Sequence, residues 1–362
     1  MKVAIVIRSL RMFGGGERLV ISLIEGLNRG SIIPEVFSED EVNEEEVELR
    51  YKKRVNFLFR KINLPRNKIL HLFKELFFNS PIIKDLKKYD FVYDFTNKPP
   101  LIFDSQKYLK YIYVLNDKRS ARFSRATSAY ITVTKALSSI GIKKFQRMHP
   151  GIINVTLSEF IQSEIKKATG VKVPIVYPPV SLNEFSCAMD HERHGVVSLG
   201  RFSPEKNYLL QIEIAKKFPK IHFTFIGSAK NRNYYQKIVQ KVKSDSVQNV
   251  SLIPNASFKQ VKKVLCQSLI FLHATIEEHF GLSTVEAIAA GCLPLVHNSG
   301  GQKEVVNYSE FRYSDIHDAE IKLQSMLNLS SEKKNEYHKS LRMDIQKYDE
   351  INFQNSMASY LD

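Results

Sequence analysis

The stretch SLIFLHATIEEHFGLSTVEAIAAG, residues 268–291, decides how this chain folds. SLIFLHA (268–274) is an apolar run of the length of one buried strand. STVEAIAAG (283–291) reads as a helix, with Ser283 as its N-cap and Gly291 as its stop. A strand feeding a helix through a short loop is the unit from which parallel α/β sheets are wound. Glu278 and Glu286 bracket that loop, and the free N–H groups opening the helix suit an anionic ligand. The pair therefore marks a place for chemistry on a phosphorylated substrate. The competing account is structural: Ser283-x-x-Glu286 as a capping box, with Glu278 a solvated loop acid.

Outward from this unit the same alternation continues. In the second half, apolar segments at 196–200, 222–227, 249–253 and 293–297 read as further strands. In the first half, strands are expected at 3–7, 91–95, 111–114, 129–132 and 153–157, and helices at 17–27, 67–78 and 160–169. Between the halves, SCAMDHERHG (186–195) is polar and pattern-free. The expected division is thus residues 1–185, a linker at 186–195, a second domain at 196–342 and a C-terminal helical segment at 343–362. The fold class is α/β, two doubly wound, Rossmann-like sheets, with a ligand cleft at the strand C-terminal ends.

Composition narrows the function classes. A chain of 362 residues suits two domains, and no run approaches the eighteen or more apolar residues of a membrane span. MKVAIVIRSL is too briefly apolar for a signal peptide. Cys187, Cys266 and Cys292 lie far apart without a CxxC pair, which points away from a disulfide framework or zinc site and toward a reducing, cytoplasmic location. The net charge of +15 is uneven: residues 1–185 carry 31 Lys and Arg against 19 Asp and Glu, and residues 51–150 carry 22 against 6. Such a basic face attracts anionic lipid headgroups or a phosphorylated acceptor. Nucleic acid is disfavoured, because no zinc-finger, RNP or helix-turn-helix pattern accompanies the charge. Within this region LPRNKILHLFKELFF (64–78) has the pattern of an amphipathic helix that would rest on a bilayer surface or, alternatively, face a core.

Two further loops belong with the glutamates. Gly14, Gly15 and Gly16 follow the first strand at a turn where backbone can approach a phosphate or sugar, or where glycine merely allows close packing. This is neither GxGxxG nor a P-loop. In LGRFSPEKN (199–207), Pro204 turns the chain between Arg201 and Lys206, two cations placed to close on one diphosphate. Phosphate-binding cations with hydroxyl-binding carboxylates describe a nucleotide-sugar site. The chain has no Asp-x-Asp, so no metal is expected at the diphosphate.

The ordered set GGGER, GRFSPEKN, EHFGLSTVEAIAAG and HNSGG resembles glycosyltransferase family 4, retaining enzymes of the GT-B fold. Within it the set is most similar to the α-mannosyltransferases that use GDP-mannose on dolichol-linked oligosaccharides. The resemblance implies that Arg201 and Lys206 hold the donor diphosphate, Glu278 lies beside the donor sugar, and Glu286 binds ribose. It also implies that the backbone of Phe280, Gly281 and Leu282 meets sugar and diphosphate, and that Gly15 and Gly16 close over the donor. Many members carry a histidine after the strand that ends here at YIYVLND; this chain has Asn116 and Asp117, leaving Asn116 as the acceptor-side candidate. The catalytic set is then Glu278, Arg201 and Lys206, with no cofactor and no metal. The partners are a nucleotide-sugar donor and a saccharide or lipid-linked acceptor, with peripheral membrane contact. The alternatives are a UDP-sugar donor acting on a polysaccharide, or another GT-B enzyme such as an epimerase.

Overall fold

The computed structural model describes residues 1–11, 14–62, 85–96, 107–113, 152–188 and 192–362. They form two compact units, Met1–Pro179 with Glu350–Asp362, and Val180–Asp349. In the first, β1 (Val3–Val6), α1 (Gly15–Arg29), β2 (Glu35–Ser38), α2 (Glu44–Tyr51), β3 (Leu58–Lys61), β4 (Phe91–Asp94), β5 (Lys107–Ile112), β6 (Ile152–Thr156) and α3 (Glu159–Thr169) follow in chain order. The second contains α4 (Leu182–Phe185), β7 (His194–Leu199), α5 (Tyr208–Lys217), β8 (Phe223–Gly227), α6 (Arg232–Ser244), β9 (Val250–Pro254) and α7 (Phe258–Gln267). It continues with β10 (Ser268–His273), α8 (Leu282–Ala289), β11 (Leu293–His297), α9 (Gln302–Val305), β12 (Arg312–Tyr313), α10 (Ile316–Leu327) and α11 (Ser331–Asp344). The chain then returns to the first unit with α12 (Glu350–Ala358).

Each unit holds one six-stranded parallel sheet, in the orders β3-β2-β1-β4-β5-β6 and β12-β11-β10-β7-β8-β9. Strand order reverses between β1 and β4 in one unit and between β7 and β10 in the other. At such a reversal the connections leave in opposite directions and open a crevice beyond the strand C-termini, where ligands bind. The central strands are apolar because helices cover both faces: all four residues of β1 and all six of β10 are buried.

The second-half strands lie within a residue or two of their expected places, and residues 3–7, 91–95 and 153–157 contain β1, β4 and β6 shifted by at most one residue. The strand expected at 111–114 instead spans Lys107–Ile112, and β2, β3 and β12 were not anticipated. The strand at 129–132, the helix at 67–78, the amphipathic segment at 64–78 and Asn116 lie outside the described residues.

Two expectations are corrected. The second unit begins at Val180, before the expected linker, because Val180, Phe185 and Arg193 already pack on it. Val180 bridges to Asp349, and Phe185 meets Phe258 edge-on with ring centroids 5.3 Å apart. Arg193 donates to the carbonyls of Leu265 and Ser268 at 3.2 and 3.4 Å. Second, Cys187 and Cys266 are joined by a disulfide, with Cα atoms 5.7 Å apart. The pairing of β7 with β10 sets His194 opposite Ser268 and so brings the segments just before them together. The inference of a reducing compartment, which rested on three unpaired cysteines, falls with this bond. Among the described residues no helix is long and apolar enough to cross a membrane.

In the first unit α12 is fastened to α1. Lys53 Nζ lies 2.6 Å from Glu25 and 2.5 Å from Glu350, and Arg29 donates to Gln354 at 2.7 Å. The Tyr93 hydroxyl donates to the Met357 carbonyl at 2.7 Å.

Candidate functional site

At the reversal point of the second unit, the loops after β7 and β10 carry most of the expected site residues. After β7, Pro204 opens a single 3₁₀ turn, Pro204–Lys206. Lys206 extends from it to Glu278, Nζ to Oε2 2.5 Å, with the two side chains 17% and 15% exposed. Arg201 stays mostly in solvent and meets Glu205 at 3.1 Å. Both cations thus have carboxylate partners, and the one on Lys206 is largely shielded from water.

After β10 the chain turns through Glu277, whose φ of 53° is left-handed and whose N–H donates to Ser299 Oγ at 2.7 Å. Glu278 follows. Its Oε1 accepts from the His279 N–H at 3.1 Å, while Oε2 meets Lys206 and lies 3.6 Å from His273 Nε2. Burial alone would push this carboxyl up, but the Lys206 ammonium and the His273 ring outweigh it and hold the carboxyl well below its usual range. These contacts favour the ionised carboxylate, an acceptor of hydrogen bonds.

The loop is clamped from below by HNSGG. Gly301 N–H donates to the Glu278 carbonyl at 2.7 Å. Gly300 has φ +66°, and a Cβ there would stand 2.3 Å from the Glu278 carbonyl oxygen. Only glycine allows that approach. Phe280 is buried against Tyr348, with centroids 4.9 Å apart, so its side chain anchors the loop and only its backbone remains for a ligand.

Helix α8 begins two residues earlier than expected. Its N-cap is Gly281, at φ 116°, with no side-chain cap, and Ser283 lies inside the first turn. The capping-box account of Ser283 and Glu286 is thereby excluded. Leu282 opens the helix, whose first turn presents backbone N–H groups without a competing side-chain oxygen, the arrangement that favours an anion. Glu286 sits deeper in α8 and is 4% exposed. Gly291, at φ 94°, ends the helix as expected.

In the first unit, Gly15 and Gly16 form the opening turn of α1 and not a loop. The Gly14 N–H already donates to Glu17 at 2.7 Å, so a carboxylate occupies this helix start. At the C-terminal end of β4, Asp94 and Lys110 form a buried ion pair at 2.6 Å.

Three side chains at the second-unit site escaped the sequence reading. His273 is 3% exposed, and its Nδ1 lies 2.9 Å from Gln302 Nε2; Gln302 Oε1 accepts from Thr284 Oγ1 at 2.9 Å. The available signal was a histidine closing an otherwise apolar strand.

Residues 183–340 match the family model described as "Glycosyl transferases group 1". This segment is a group 1 glycosyltransferase domain. It holds every expected site residue except Gly15, Gly16 and Asn116. Among similar curated proteins is the human "GDP-Man:Man(3)GlcNAc(2)-PP-Dol alpha-1,2-mannosyltransferase", 31% identical over 209 residues, 51% of this chain and 42% of that protein. The protein of the same name from Xenopus laevis is 30% identical over 211 residues, 52% of this chain and 43% of the relative. The aligned region spans less than half the length of either relative. Solved structures share the fold along nearly the whole chain. HepE from Anabaena in complex with UDP-glucose superposes with a TM-score of 0.76 at 15% identity, covering 100% of this chain and 99% of that one. Sucrose-phosphate synthase from Thermosynechococcus elongatus gives 0.78 at 13% identity, covering 99% and 98%. The architecture that carries the glycosyltransferase domain is GT-B, two Rossmann-like units each with one parallel sheet.

Proposed function

We propose that this chain is a retaining glycosyltransferase that moves a mannosyl group from GDP-mannose to a saccharide carried on a lipid diphosphate. The observation that carries the reading is the Glu278–Lys206 pair, held at the β7/β10 reversal beside the uncapped start of α8 in a group 1 glycosyltransferase domain. The donor and acceptor classes follow those named for the similar mannosyltransferases.

In the reaction the bond from the anomeric carbon to the diphosphate oxygen breaks, and a bond to the acceptor hydroxyl oxygen forms. Negative charge grows on the departing diphosphate. Arg201 and the first-turn N–H groups of α8, beginning at Leu282, meet that charge together with Lys206, which turns from Glu278 toward the donor. Glu278 accepts hydrogen bonds from the donor sugar, and Glu286 accepts from ribose. These groups neutralise the diphosphate without a metal ion. The basic excess of residues 51–150 suits an acceptor presented at an anionic membrane surface.

Thermal unfolding with GDP-mannose, UDP-glucose and UDP-N-acetylglucosamine tests the donor. A ligand at 100 times its Kd stabilises the native state by about 2.7 kcal/mol, so GDP-mannose is expected to raise Tm clearly and the UDP-sugars to leave it unchanged. A shift from UDP-glucose alone would move the reading to a glucosyl donor. No shift with any of the three would remove it.

A further inference from the structure

We infer that His273 is a positioning residue that keeps the Glu278 carboxylate ionised and oriented when Lys206 turns to the donor diphosphate. This rests on the proposed function, in which Lys206 serves both Glu278 and the donor. Lys206 is the nearest cation to Glu278, at 2.5 Å, and Glu278 is only 15% exposed. A carboxylate so shielded from water would take up a proton or swing away if its one strong partner left. His273 is the second side chain at the Glu278 Oε2 atom that Lys206 holds. It ends β10 five residues before Glu278, is almost fully buried, and sets Nε2 3.6 Å from Oε2.

The neighbours of the ring fix which nitrogen carries the proton. Gln302 is fully buried and accepts at Oε1 from Thr284, so its amide N–H group faces His273 Nδ1 at 2.9 Å. Nδ1 is then the acceptor, and Nε2 bears the hydrogen. The opposite tautomer would set the Nε2 lone pair against the Glu278 carboxylate. Gly281, at φ 116°, leaves room for Gln302, since a Cβ there would come within 2.7 Å of its Oε1. The chain Thr284–Gln302–His273 thus ties the start of α8 to the orientation of Glu278. An N–H group aimed at a carboxylate steadies it without neutralising it, which leaves Glu278 free to accept from a sugar hydroxyl.

The test compares His273→Leu with His273→Gln, whose amide N–H group reaches the place of imidazole Nε2. With GDP-mannose as donor, His273→Leu is expected to lower kcat by tenfold or more, on the order of the cost of misplacing a working group by a fraction of an ångström. The Kd for GDP should stay within about twofold, because the lost contact is to Glu278 and not to nucleotide. His273→Gln should recover most of the loss. Unchanged kcat in His273→Leu, equal losses in kcat and GDP affinity, or a Gln variant no better than Leu would each overturn the inference. A second readout does not need turnover. Nitrogen-15 histidine spectra, with the His273 signals identified by their loss in His273→Leu, should show the Nε2–H tautomer; Nδ1–H overturns the inference. If the wild type fails to turn over GDP-mannose, the proposed function falls, and the tautomer alone then decides the positioning role.

Discussion

Replacing Lys206 with Met tests the electrostatics of the site without reference to any substrate. At 2.5 Å and an effective dielectric near 20, the attraction between Lys206 and Glu278 is roughly 6–7 kcal/mol before the cost of desolvating both ends. Removing one partner of a fully buried pair costs about 3–5 kcal/mol, because a charge is left without compensation. Here the side chains keep 17% and 15% exposure and His273 remains 3.6 Å away, so the expected loss at pH 7.5 is smaller, about 2 kcal/mol. The pH dependence is the sharper signature. In the wild type the Glu278 carboxyl is held below its ordinary value of 4.5, so its stabilising contribution is complete above that pH and fades as pH falls further. In Lys206→Met the folded-state value rises above 4.5 as burial gains on the remaining His273 contact, although His273 still keeps the carboxyl ionised at pH 7.5. The folded variant then binds a proton that the unfolded chain does not, and its deficit shrinks toward about 1 kcal/mol at pH 5. Urea unfolding followed by far-UV circular dichroism measures this, since the chain has no tryptophan. Adding Glu278→Gln to Lys206→Met should restore most of the loss at pH 7.5. A deficit that is absent, or equal at both pH values, would refute the reasoning.

Gly300→Ala should destabilise by about 2 kcal/mol or more, since it combines a left-handed φ with a clash against the Glu278 carbonyl; a stability within about 0.5 kcal/mol of wild type would contradict the clamp. Arg201→Ala should weaken GDP binding by about 1.5–3 kcal/mol, the range for charged hydrogen bonds, and leave Tm unchanged because the side chain is 72% exposed; calorimetry with unaltered affinity would remove its diphosphate role. Maleimide labelling of the denatured chain should find one thiol before reduction, Cys292, and three after; three before reduction would rule out the disulfide. Burial, with Arg193 and Lys334, pushes His338 down to about 4, so the unfolded chain protonates first as pH falls from 6.5 and stability declines toward pH 4 by as much as about 3 kcal/mol. His338→Leu should flatten that part of the stability profile, and an unchanged slope would discount it.

What the sequence disclosed follows from how each element is held. β10 and α8 were legible because a buried strand of a parallel sheet is apolar throughout, and because Gly291 ends the helix in a conformation that glycine favours. β2 begins with Glu35, and β3 is LFRK with no buried residue, so neither offers an apolar run. Their pairing partners in the sheet, and not their own patterning, make them strands. β5 was placed late because Lys107 and Lys110 interrupt its start; Lys110 is tolerated inside only because Asp94 and Thr96 receive its ammonium group. The disulfide joins residues 79 apart, and Gln302 lies 29 residues from His273, separations that only the β7–β10 pairing and the HNSGG clamp convert into contact. The two glutamates, Arg201 and Lys206 were visible as a set. That Lys206 would be engaged by Glu278 was not, because it depends on two loops meeting at a reversal of strand order.

The most direct measurement is transfer itself. The purified 362-residue chain is incubated with GDP-mannose carrying a radiolabelled sugar and with a lipid diphosphate-linked oligomannosyl acceptor, and label is counted in the organic-extractable fraction. The account predicts labelled product that α-mannosidase releases, formed in the presence of a chelator and largely lost in Glu278→Gln while that variant still binds GDP. Label that never leaves GDP-mannose, or equal transfer by wild type and Glu278→Gln, would contradict it.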